Sequence, residues 1–176
     1  MPVKFVAKNH VISMFVFQEK TMNETQLKNA AASAGNYHSM GFNCAESIFL
    51  TFRAIAVPDM NEDMVRMASP FGGGMGRSGC VCGALSGAIM ILGAAKGRVS
   101  PDVPRKQSYE LSNEYHNRFK AKFGATCCRV LVKAEFGSKE QGARCYDIIT
   151  ESAELLMDFL IEKDMVVNEN TGEVSL

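Results

Sequence analysis

The chain has 176 residues, enough for one domain that buries its own core without disulfide staples. Nineteen basic residues cancel nineteen acidic ones, which excludes a general nucleic-acid binder, since such proteins carry a basic excess. Six cysteines in this length are too few for a disulfide framework.

The chain opens with two lysines and a short apolar run, Val11 to Phe17, followed directly by Gln18, Glu19 and Lys20. No small-residue cleavage site follows the run, so it does not read as a secretory signal. Residues 1–22 are expected to form a peripheral extension, with a weak strand candidate at Val11–Phe17. Asn23 to His38 is polar and alanine-rich and reads as a first helix. Asn43 can cap a second, from Cys44 to Ala56, with Ile48, Phe49, Phe52 and Ile55 on one face. Asn61 can cap a short third helix to Ala68. A glycine loop spans Pro70 to Gly79.

An apolar helix is expected over Cys82–Ala95. Ser78 to Ala95 has no charge, but its helical part is too short to span a bilayer, which favours a buried central helix. Ser100–Pro101 has the form of a helix start and predicts a fifth helix to Lys122, ending at Gly124. A sixth is predicted over Cys128–Phe136. Ser138 and Gln141 have capping-box spacing ahead of a long last helix. That helix places Cys145, Ile148, Ile149, Ser152, Leu155, Leu156, Phe159 and Leu160 on one face. Met165–Val167 is a second weak strand candidate, and the residues after it read as a turn-like tail.

The periodicity predicts an all-α, single-domain helical bundle of about six to seven helices, with a domain over 23–165 and a tail over 166–176. With no spanning segment and no export signal, the thiols point to a reducing cytoplasm, where structural disulfides are rare. The Gly/Ala-rich apolar helix and the surplus of Met and Phe leave room for a homodimer.

The six cysteines are Cys44, Cys80, Cys82, Cys127, Cys128 and Cys145. Thiolate is the nucleophile and the metal ligand, and helix N-termini lower a thiol's pKa. Cys44, Cys82 and Cys128 each open a predicted helix. Cys145 lies on the inward face of the last one, as a partner thiol or as a buried apolar residue. There is no CxxC; the close pairs are Cys80-Val81-Cys82 and Cys127-Cys128. This spacing does not announce zinc, haem or a ferredoxin cluster. Four thiolates assembled from distant helices stay open as a metal site.

His10, His38 and His116 form no ligand pattern, although His38 is close enough in sequence to reach Cys44. Met64, Met67, Met75 and Met90 read as apolar filler. The glycine loop Phe71–Gly79 lacks the preceding strand and the Lys-Ser/Thr of a nucleotide P-loop. Its glycines serve close backbone approach, and its amides, with Arg77, can cradle an anion or a sulfur. Gly83 and Gly87, and Ala84 and Ala88, are four apart and would let another helix come close.

Charge is locally segregated. Residues 96–133 carry nine Lys/Arg against three Asp/Glu, and residues 134–176 carry three against ten. Either the two segments neutralise each other, or a basic surface around the sixth helix serves an acidic partner or an anionic ligand.

Five motifs recur in order: GFNCAES (Gly41–Ser47), FGGGMGRSG (Phe71–Gly79), CGALSG (Cys82–Gly87), FGATCCRVL (Phe123–Leu131) and RCYDII (Arg144–Ile149). On them the chain resembles, over roughly residues 36–160, the family of redox-active proteins named for its C_GCAxxG_C_C cysteine pattern. The resemblance implies that Cys44, Cys82, Cys128 and Cys145 carry the pattern, with Cys128 directly before the arginine. Cys80 and Cys127 are then extras, acting as spare or resolving thiols. Relatives encoded near transporter genes imply a transporter-associated partner.

Three functions follow as expectations. The first is thiol–disulfide exchange or electron transfer by the four cysteines with an unknown redox partner, needing no cofactor, with Cys44 coupled to Cys82 and Cys128 to Cys145. The second is a zinc or iron–sulfur protein using the same four thiolates. The third is a non-enzymatic, transporter-associated binding module.

Overall fold

The computed structural model describes residues 6–166, with side chains from Asn23 onward. They form an all-α bundle of α1 (Val6–Ser39), α2 (Cys44–Ala56), α3 (Gly83–Lys96), α4 (Lys106–Phe123), α5 (Cys128–Val132) and α6 (Lys139–Glu162). Two short 3-10 segments, Glu62–Met67 and Ser69–Phe71, lie between α2 and α3. There is no strand among the described residues, only a single antiparallel bridge between Val81 and Cys127. No helix among them is long and apolar enough to cross a membrane.

The core follows from the amphipathic faces. In α2, Ile48, Phe49 and Phe52 are fully buried, and Asn43 closes a capping box with Glu46. The predicted face of α6 buries Ile148, Ile149, Ser152, Leu156, Phe159 and Leu160. Tyr115 of α4 reaches across and donates its hydroxyl to the Ser152 carbonyl at 3.3 Å. α1 packs along α6 and α2, and α3 is clasped between α2 and α4. α3 has no polar face to spare: Gly83 through Ala88, Ile91 and Leu92 are all buried. Its glycines let α2 approach, for a Cβ on Gly87 would meet the Ala45 carbonyl oxygen at 2.6 Å.

Several boundaries differ from the sequence expectation. α1 runs back to Val6, so Val11–Phe17 is helical rather than a strand; no Gly or Pro between Val6 and Asn23 breaks it. The segment after Asn61 winds as 3-10 turns rather than an α-helix. Ser100–Pro101 makes a turn, held by Arg98 on the Pro101 and Val103 carbonyls at 3.0 and 3.1 Å, and α4 starts only after Pro104. α5 stops at Val132 rather than Phe136, where Lys133 turns left-handed at φ 54°. Met165 is buried and its amide returns to the Leu160 carbonyl at 2.8 Å, so it is no strand. Val167 and the rest of the tail lie outside the described residues.

The charge segregation is partly resolved by packing. Arg118 and Lys122 of the basic α4 pair with Glu162 and Glu151 of the acidic α6, at 2.7 and 3.8 Å.

A Gly→Ala change inside an exposed helix gains about 1 kcal/mol. At Gly87 the added methyl would also crowd Ile48 Cβ at 3.2 Å, so the sign reverses. Gly87→Ala is expected to destabilise the fold by about 1–3 kcal/mol, as overpacked cores do. A urea-unfolding midpoint that stays level or rises would contradict so close an α2–α3 approach.

Candidate functional site

Three helix starts meet at one place. Cys44 is the first residue of α2, Cys82 the N-cap of α3 and Cys128 the first residue of α5, as the sequence suggested. Cys145 enters from the second turn of α6. Cys44, Cys82 and Cys128 are 8, 4 and 3 % exposed, while Cys145 is half-buried. Cys80 and Cys127 lie exposed outside them, and all six thiols are free.

The loops between helices dictate this meeting. Cys82 N donates to the Thr126 carbonyl at 2.8 Å, and Cys128 N to the Cys80 carbonyl at 2.5 Å. These two bonds flank the Val81–Cys127 bridge and tie the start of α3 to the start of α5. The glycine loop folds beneath: Gly79 N donates to the Gly73 carbonyl and Cys80 N to the Gly74 carbonyl, both at 3.1 Å. Gly74 sits at φ 71°, and a Cβ there would lie 2.7 Å from Cys128 Cβ. Only glycine suits both demands. Arg129 locks the far side with its guanidinium on the Gly79 and Ser78 carbonyls. Asn43 and Glu46 lock the near side through the Ser69 carbonyl and hydroxyl, at 3.1 and 2.5 Å. Gly83 completes the packing, since a Cβ on it would collide with the Cys44 sulfur.

Electrostatics couples the four thiols. Burial pushes each of them above its ordinary value, and for Cys82, Cys128 and Cys145 the charge of neighbouring cysteines adds to it. Cys82 is pushed up to about 12, first by burial, then by Cys44, with Cys128 a smaller cause. Cys128 is pushed up to about 11 by burial, then by Cys44, Cys145 and the adjacent Cys127. Cys145 is raised by burial and then Cys44; Gln141 and Arg144 pull the other way. Cys44 therefore bears on all three partners. Its own thiol is raised by burial against the amides of Gly73, Ala45, Cys44 and Gly83, which favour thiolate. The Ala84 and Leu85 amides at the start of α3 act likewise on Cys82 without closing a capping hydrogen bond. The helix-start positions are as expected, but the low pKa expected of them is not realised, because desolvation outweighs a few aligned amides. Cys128 and Cys82 are protonated at neutral pH.

Other candidates lie apart from the sulfurs. His38 bonds the Phe42 carbonyl at 3.0 Å, and His116 bonds Asn117. The His10 side chain lies outside the described residues. Arg77 is exposed, and Met67 and Met75 are too exposed to be core filler. Nothing in the helical periodicity signals that Tyr115 is buried where the Cys82 thiol influences it. Among the described residues, no group of three or more His, Cys, Asp or Glu is arranged to hold a metal ion.

Comparison with known proteins agrees with the cysteine pattern. The family described as "Putative redox-active protein (C_GCAxxG_C_C)" matches residues 42–159, which include all six cysteines. An uncharacterized protein of Archaeoglobus fulgidus is 28% identical over 127 residues, covering 67% of this chain and 84% of the relative. No solved structure matches.

The raised thiols predict a pH dependence. A folded-state pKa above the ordinary 9.0 means that the folded chain holds its protons longer than the unfolded one. The associated stability is complete below about pH 9 and is lost as pH rises toward 11 and 12. The urea midpoint of the reduced protein should fall between pH 9 and pH 11, and replacing Cys82 by Ala should flatten that fall. An unchanged slope in that variant would contradict the assignment.

Proposed function

We propose that this chain, which belongs to the C_GCAxxG_C_C family of redox-active proteins, carries out thiol–disulfide exchange through Cys44, Cys82, Cys128 and Cys145. What supports the reading is that the helix starts bearing Cys82 and Cys128 are fastened to each other, Gly83 packs beside the Cys44 sulfur, and Cys44 bears on the ionisation of each of the other three thiols.

Attack on a disulfide needs a thiolate and access. Cys145 is the most accessible of the four, and Gln141 and Arg144 favour its thiolate; the Gln141 amide nitrogen is 3.9 Å from its sulfur. Its thiolate attacks one sulfur of an incoming disulfide, forms a mixed disulfide and expels a thiolate. Cys128 then gives up its proton, attacks the Cys145 sulfur and releases the second half of the substrate as a thiolate. The protein gains a Cys128–Cys145 bond, and the substrate is reduced to two thiols. Cys44 can next displace Cys145 from Cys128, and Cys82 displaces Cys128 from Cys44. The bond then rests as Cys44–Cys82 in the interior, with Cys128 and Cys145 again free for a second round. Burial protects the inner bond from stray thiols, and the exposed Cys80 and Cys127 remain auxiliary. Such thiols belong in a reducing compartment such as the cytoplasm.

Anaerobic purification followed by a neutral disulfide at a poise above about −200 mV tests this. Thiol counting should show four thiols lost, with mass mapping placing the bonds within the set of four. Cys44→Ser should halve the loss to two thiols and leave a Cys128–Cys145 bond. Six free thiols after oxidation, bonds confined to Cys80 and Cys127, or stoichiometric metal held by the four thiolates would each overturn the reading.

A further inference from the structure

We propose that the cavity beside α5 holds the carboxylate end of an anionic low-molecular-weight disulfide, the oxidant that Cys145 attacks. This rests on the thiol–disulfide reading and narrows it to a substrate class.

The cavity measures about 450 Å³, within the size range of small-ligand pockets. Phe123, Val130, Leu131 and Val132 contribute to a mixed polar and apolar lining, and Lys133 and Arg144 supply two cations. The basic side chains of α4 that face α6 are already neutralised: Arg118 by Glu162 and Lys122 by Glu151. Lys133 and Arg144 form no ion pair among the described residues. Arg144 donates from Nε to the Leu131 carbonyl at 3.3 Å, which fixes its guanidinium against α5. Its terminal amino groups have no partner among the described residues. A guanidinium held in this way presents a fork that matches a carboxylate.

Position links the cavity to the chemistry. Arg144 immediately precedes Cys145 on α6, and Leu131 lies in the short helix that Cys128 opens. Cys145 and Cys128 do not line the cavity, so a ligand whose carboxylate sits on Lys133 and Arg144 extends beyond the cavity to reach the half-exposed Cys145. The Cys145 thiolate then forms a bond to one ligand sulfur while the S–S bond breaks. One carboxylate-bearing thiolate departs, and Cys128 releases the second.

The test separates docking from redox chemistry by using two kinds of probe. Suberate, the all-carbon analogue of 3,3′-dithiodipropionate, reports on the cavity alone by calorimetry. It should bind, with affinity reduced about threefold by Lys133→Gln or Arg144→Gln and about tenfold by both, since exposed ion pairs contribute modestly. Exchange rates are then compared for dithiodipropionate and the neutral 2-hydroxyethyl disulfide. The anionic-to-neutral rate ratio should exceed one and fall about tenfold in the double variant. Using the ratio removes any effect of Arg144 on the thiol itself. No suberate binding, or equal binding in the double variant, overturns the docking assignment even where the neutral disulfide oxidises the thiols. Failure of the neutral disulfide to oxidise any of the four cysteines overturns the thiol reading, and the proposal with it, whatever suberate does.

Discussion

The molecule depends on a single antiparallel bridge. Val81 and Cys127 are far apart in sequence, yet two backbone hydrogen bonds beside them fasten the start of α3 to the start of α5. Without that fastening, α5 has little hold, for it is only five residues long and packs mainly on α6. A helix of that length does not sustain itself in water. The bridge therefore makes α5 a place where Cys128 can be positioned at all. The glycine loop and Arg129 then brace the bridge from outside the sulfur cluster.

Around this fastening, two opposing forces act on the same sulfurs. Helix starts aim amides at Cys44 and Cys82 and favour negative charge, while burial opposes it. Burial wins, and the thiols also disfavour one another's ionisation. A cluster in this balance carries protons at rest. Oxidation of two thiols to a disulfide removes both titrating groups at once, and with them the desolvation cost of charging either. The interior is thus more hospitable to a disulfide than to a thiolate.

Much of this was legible in the sequence, and the rest was not, for identifiable reasons. The faces of α2 and α6 could be read because Ile48, Phe49, Phe52 and the Ile148–Leu160 set follow the helical period. The caps at Asn43 and Ser138 were likewise visible, because each is a local contact. The positions of Cys44, Cys82 and Cys128 at helix starts followed from those caps and breaks. The Val81–Cys127 bridge was invisible, since a pairing this short leaves no alternation. The late start of α4 depended on Arg98 reaching the Pro101 and Val103 carbonyls, a contact that a propensity argument does not contain. The thiol pKa directions were misjudged for a related reason: a helix start is a local feature, whereas burial is decided by the whole fold.

Gly83 and Gly87 lie one helical turn apart, and both face the beginning of α2, one at the Cys44 sulfur and the other at the Ala45 carbonyl. Together they act as a gauge that fixes how far one helix stands from the next, and therefore where the first sulfur comes to rest. Chemistry and metrology are thus written in different letters of the same six-residue motif. Exchanging a cysteine would remove a thiol from an otherwise unchanged frame, and exchanging a glycine would leave every thiol present with the convergence spoiled. The two kinds of change can be made separately, so reactivity and geometry in this fold can be altered one at a time.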